Sequence, residues 1–156
     1  MNIVGKTIGA ILRRFFERQA RARSWDDLAR NLASSGDDLA KRMHTAPDTP
    51  HDREVAQHIV GIERWGQRRL RVALGEPFVQ DGHRPYRLPD DTAMPALAEA
   101  FARTRADTVA LARELEANGA DKGLRVRHDD LGDVTLGAWL AYLDGHARRE
   151  AKRLAG

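Results

Sequence analysis

Apolar positions along the chain recur at three- and four-residue steps, and no block alternates apolar with polar over the four to eight residues that a half-buried strand needs. The pattern predicts an all-α protein. Val4, Ile8, Ile11, Leu12 and Phe15 open a first block that continues less regularly through Ala22, Trp25, Ala29 and Leu32, with Ser34, Ser35 and Gly36 expected to stop it. Ser24 followed by Asp27 has the form of a capping box, which leaves open whether residues 3–33 make one helix or two. A short helix is expected from Asp37 to His44, ended by Pro47 and Pro50.

The second long helix has the best start signal: Thr49 as N-cap, Pro50 at the first helical position and Asp52 completing the box. It should run to about Leu74, where Gly75 suits a left-handed cap and Pro77 prevents continuation. Its apolar row is Val55, Ile59, Ile62, Trp65 and Leu70, with His58 beside it. Residues 75–91 are expected to form an irregular loop anchored by Phe78, Tyr86 and Leu88.

A third helix is expected from about Asp91 to Asn118, ended by Gly119. Its seam, Leu97, Phe101, Thr104, Thr108, Leu111 and Leu115, steps by fours and threes as in helices packed nearly antiparallel. The two threonines are expected either to bond the carbonyl four residues back or to line a polar pocket, the first being the simpler role. After a loop with His128 and Gly132, a fourth helix should run from Thr135 to Leu154. Its inward row is Leu136, Trp139, Leu140, Leu143, Ala147, Ala151 and Leu154, and His146 and Glu150 share that face. Four such helices predict a four-helix bundle with a short extra helix, as one domain over residues 1–156.

Composition narrows the chemistry. The absence of cysteine removes disulfides, thiolate metal sites and a cysteine nucleophile, so a metal would need imidazole and carboxylate ligands. No stretch has the roughly 18 apolar residues of a membrane span, and a soluble, cytoplasmic protein is expected. The net charge of +3 is uneven: residues 1–23 carry six basic side chains against Glu17 alone, +5, which leaves −2 for the rest. A body of that sign does not favour a nucleic-acid partner. The basic first segment has three readings: a wall of the bundle with its arginines in water, a dimer contact through Phe16 or Trp25, or a helix lying on an acidic membrane. The first is expected, because no other helix of suitable length precedes residue 49; no membrane partner is therefore expected.

Three titratable side chains stand where apolar ones are due: His58, His146 and Glu150. His146 and Glu150, four apart on a helix, point the same way, and His58 would join them from the neighbouring helix. Two imidazoles and one carboxylate leave coordination positions open and suit zinc, nickel or ferrous iron. The plainer alternative is a solvated helix end, with Glu150 among Arg148, Arg149 and Arg153. His83, His128 and Tyr86 are loop residues that would rim such a pocket or be solvated, and Tyr142, one turn before His146, would support it or pack in the core.

The stretch from Val126 to Glu150, which contains His146-Ala-Arg-Arg-Glu150, resembles the C-terminal signature of the DinB/YfiT-like superfamily, and Arg53–Trp65, with His58, resembles that family's second helix. The resemblance in layout spans nearly the whole chain, on short motifs. It implies a four-helix bundle, usually dimeric, with a divalent metal held by one histidine of helix two and an H-x-x-x-H pair of helix four. His58 stands at the first position and His146 at the second, while Glu150 occupies the place of the second histidine of the pair. The implied activity is that of a metal-dependent hydrolase or a thiol transferase acting on a small molecule, some members using bacillithiol, mycothiol or glutathione. The alternative is a metal-free helical stress-response or interaction protein with a degenerate site.

Overall fold

The computed structural model describes residues 3–156 and shows a mainly helical protein. Its long helices are α1 (Ile3–Arg21), α2 (Trp25–Thr45), α3 (Pro50–Leu70), α4 (Met94–Ala117) and α5 (Leu136–Ala151). A short antiparallel hairpin, β1 (Arg125–His128) and β2 (Gly132–Thr135), precedes α5. The helices α2 and α3 each pack against both α4 and α5, while α1 lies outside, against α5 and β2. None of the described helices is long and apolar enough to cross a membrane.

The start signals fall at their expected places, but Asp52 does not complete the box at α3, because its carboxylate takes the Thr49 hydroxyl and the Ala155 amide (2.8 Å). Ser24 accepts from the Asp27 amide (3.0 Å) and Asp27 from the Ser24 amide (3.1 Å), a closed capping box that divides the first block into α1 and α2. Thr49 caps α3 by accepting from the Asp52 amide (3.1 Å) with Pro50 at the first helical position, and Thr135 caps α5 through Ala138. The helix α3 tightens into a 3-10 turn over Arg71–Leu74 and ends at Gly75, at φ 92°. The expected rows of α3, α4 and α5 are all buried.

Four expectations are corrected. The stop at Ser34, Ser35 and Gly36 does not occur, and the short helix Asp37–His44 is the second half of α2. Both small residues serve packing: Ser35 bonds the Leu32 carbonyl, Asp144 and Arg105, and a Cβ on Gly36 would sit 2.5 Å from the Arg105 Cγ. The third helix begins at Met94, with Pro95 in its first turn, rather than at Asp91. Strands are present, though each has only four residues, below the length at which alternation in sequence is legible; Val126 and His128 point inward from β1. Finally, α1 does pack on α5 but by a narrow face, Gly9, Phe16, Glu17 and Ala20 with Leu12 half-buried beside them, while the rest of the apolar row expected to face the core, Val4, Ile8, Ile11 and Phe15, is exposed.

The core falls into two apolar clusters. One gathers Phe16, Leu32, Trp65, Leu115, Val134, Trp139 and their neighbours; the other holds Met43, Val55, Ile59, Met94, Phe101, Ala147 and Leu154. A polar group from four helices accompanies them. Arg105 of α4 meets Glu63 of α3 in a forked pair (2.6 and 3.2 Å), and donates also to Ser35 Oγ (2.8 Å) and the Leu32 carbonyl (3.2 Å) of α2. Asp144 of α5 bonds the same Ser35. Thr108 donates to Glu63 (2.9 Å) and lies 3.2 Å from the Thr104 carbonyl, while the Thr104 hydroxyl accepts from Arg64 (3.3 Å); only Thr108 approaches the carbonyl four residues back, and neither threonine lines a cavity among the described residues.

Removing one partner of a buried, forked ion pair strands the other charge, at a cost of about 3–5 kcal/mol, whereas an apolar replacement of both is far milder. Glu63→Gln is therefore expected to lower stability by roughly 3 kcal/mol, and Glu63→Leu combined with Arg105→Met by less than the sum of the single changes. Urea unfolding of the single and double variants measures this.

Candidate metal centre

The helices α3 and α5 lie side by side, Ala147 and Ala151 of α5 sharing the second apolar cluster with Val55 and Ile59 of α3, and they approach closely at Gly66, where a Cβ would lie 2.6 Å from Leu143 Cδ2. That closeness brings His58 of α3 to His146 and Glu150 of α5. One ligand atom from each of the three lies within 4.8 Å of the others. The two Nε2 atoms are 3.1 Å apart. Two nitrogen ligands about 2.0–2.1 Å from one ion, at roughly tetrahedral to square angles, lie about 2.9–3.4 Å from each other. The observed separation fits a shared ion, and it also fits one imidazole donating to the other.

Glu150 serves two sides. Its Oε2 accepts from Arg153 Nη1 (2.6 Å) and its Oε1 lies 3.5 Å from Arg149 Nε, yet the side chain is only 12% exposed and remains within reach of both imidazoles. Burial works to raise its carboxyl pKa, but the Arg153 bond and the two histidines hold it below the ordinary value. Burial pushes His146 down to about 3, with the neighbouring His58 acting in the same direction. His58, also lowered by burial and then by His83, shares the tendency to stay neutral, the form that binds metal.

The loop between α3 and α4 completes the surroundings. Gly61 lets it in: a Cβ there would lie 3.0 Å from Arg87 Cγ and 3.2 Å from the His83 carbonyl. The loop is strapped to α3 by Gln57, which bonds the Leu88 amide (3.0 Å) and the Pro89 carbonyl (2.9 Å), and by the forked Arg87–Glu54 pair. Trp65 and Arg69 both donate to the Asp81 carbonyl, and the Arg69 guanidinium stacks over the rings of Trp65 and Phe78, 4.9 and 4.6 Å from their centres. Held in this way, the His83 ring lies edge-on to His58, 4.9 Å between centres. Tyr86 is not at the cavity; its hydroxyl donates to Asp81 (2.6 Å) and steadies the loop.

His58, His83, His128, Tyr142 and His146 line one cavity of about 210 Å³, with Trp65 at its wall. His128 is not solvated. It is 2% exposed, enclosed by Trp65, Trp139 and Tyr142, and its Nδ1 accepts from the amides of Asp130 (3.1 Å) and Leu131 (3.2 Å). A neutral ring with an accepting Nδ1 carries its proton on Nε2, which is buried without a hydrogen-bond partner among the described residues. Tyr142 packs between the rings of His128 and His146, against the first apolar cluster, which is the core role expected of it. The sequence offered His128 only as a residue of the loop that also holds Gly132, and gave no signal for the aromatic enclosure.

The chain matches no family model, no curated protein and no solved structure.

Burial, and then the charge of Arg69, holds His128 down to about 4, against about 6.5 in an unfolded chain. The fold thus prefers the neutral ring, and the stability this contributes is complete above about pH 6.5 and lost as the pH falls toward about 4. His146 acts with the same sign. His128→Asn keeps an acceptor for the two hairpin amides and removes the titration. Its urea midpoint should fall less than that of the parent between about pH 7 and about pH 4.5, the difference amounting to roughly 2 kcal/mol.

Proposed function

We propose that this chain is a DinB/YfiT-like four-helix bundle that holds one divalent cation, zinc, nickel or ferrous iron, through His58, His146 and Glu150, and acts on a small molecule as a hydrolase or a thiol transferase. The observation that carries it is the convergence of three ligand atoms, from positions 88 and 92 residues apart in the chain, to within 4.8 Å. The donor set supports it, since two neutral imidazoles and a carboxylate suit those metals and leave positions open.

When bound, such a cation lowers the pKa of a coordinated water or thiol and so supplies a nucleophile near neutral pH. The chain's own groups do the rest. Arg153 and Arg149 hold Glu150 in orientation. Tyr142 and His128 wall the cavity, and the loop carrying His83 covers one side of His58. The cavity size suits a small molecule rather than a polymer.

A second reading has its own observation. The His58–His146 contact at 3.1 Å and the Glu150–Arg153 bond at 2.6 Å can satisfy these groups among themselves, as in a metal-free scaffold. Metal analysis of protein purified without a histidine tag separates the two. Near one equivalent of zinc, nickel or iron, lost in His58→Ala, is expected, together with a rise in Tm on the order of 5–10 °C when saturating metal is returned to chelator-stripped protein. No co-purified metal and no thermal shift with any of the three ions would give the site to the second reading.

A further inference from the structure

The helix α1 leaves an apolar face uncovered. Val4, Ile8, Ile11 and Phe15, at steps of four, three and four, form one stripe and are between 53% and 65% exposed, with Ile3 beside them at 84%. Five of the eight exposed large apolar side chains of the described residues are on this helix. Arg14, Arg18 and Arg21 run at the same steps along one edge and make no ion pair among the described residues. The other edge opens on a groove of about 520 Å³ between α1 and α5, lined by Phe15 together with Arg23 and Lys152, and by Arg148 and Arg149, which pair with Asp144 and Glu150. The one acid of the helix, Glu17, is turned inward, held by Arg125 and by the amide and hydroxyl of Thr135.

We propose that this face of α1 docks on an anionic lipid surface, lying in the plane of the interface with Ile8, Ile11 and Phe15 at the acyl boundary and the flanking arginines on headgroup phosphates. Charge complementarity selects the partner. A second copy meeting this face would bring two segments of charge +5 together, and a nucleic acid would leave the apolar centre of the stripe in water. A lipid surface takes both the apolar stripe and its cationic edges. The helix does not span the bilayer.

Co-sedimentation of the full chain with vesicles tests this. Binding to phosphatidylcholine vesicles containing about 30% phosphatidylglycerol should exceed binding to pure phosphatidylcholine at least tenfold, and should weaken strongly at about 0.5 M salt. Arg14→Gln and Arg18→Gln should each weaken it about fivefold. Ile11→Glu, at an exposed position, should abolish it while leaving circular dichroism and Tm unchanged. Binding to neither vesicle, or to both alike, overturns the proposal. So does a dimer in sedimentation velocity that Ile11→Glu dissociates without any vesicle binding, which assigns the face to a second copy. Duplex DNA binding that persists in Ile11→Glu, with no binding to vesicles, assigns the arginines to nucleic acid instead.

Discussion

Arg105 and Glu63 meet with 2% and 1% of their side chains exposed, and the groups that satisfy them come from the helices around them. Glu63 belongs to α3, Arg105 to α4, Ser35 and the Leu32 carbonyl to α2, and Asp144, 3.6 Å from Arg105, to α5. Apolar packing alone tolerates sliding of one helix against another, because one leucine contact resembles the next. A buried guanidinium does not, since each of its donors needs an acceptor at one place and an unmatched donor is costly. The pair therefore sets the register of α2, α3, α4 and α5, with an apolar cluster at either end of the bundle of side chains.

Register is what the candidate centre requires. A shift of α5 by one residue would turn His146 and Glu150 by about 100° about the helix axis and part them from His58. The same register places Tyr142 between His146 and His128, and so links the hairpin to the cavity. The loop after α3 depends on it less, being tied mostly to α3, through Glu54, Gln57, Gly61, Trp65 and Arg69, with one bond from Gln80 to Asp129 (3.2 Å) in the hairpin turn. His83 reaches His58 because both are carried by α3, directly or through these straps.

A different logic governs α1. It meets α5 and β2 through Phe16 and Ala20 packed on the core, Leu12 beside them and Glu17 fastened to the end of the hairpin, while Val4, Ile8, Ile11 and Phe15 lie on the opposite side. Amphipathic periodicity states that a helix has two unlike faces, but not which of them meets the core. For α3, α4 and α5 the larger apolar face is the inner one, and for α1 it is the outer one.

Much of the secondary structure was legible in the chain because it rests on short-range chemistry. The caps at Ser24 and Thr49, the start of α5 at Thr135, the glycine end at Gly75 and the apolar rows of α3, α4 and α5 involve residues within a turn or two of one another. The alignment of His146 with Glu150 follows from helix geometry in the same way. What sequence could not supply was every decision made between distant segments. Ser35 and Gly36 have the composition of a helix stop, and only the presence of Arg105 against them turns them into helix interior. His128 has the look of a loop histidine until Trp65, Trp139 and Tyr142 close around it, and His58 acquires its neighbours only when α3 meets α5. Local propensity is additive along the chain, whereas burial and the pairing of charges depend on which surfaces come together, and that is determined by the packing of the whole.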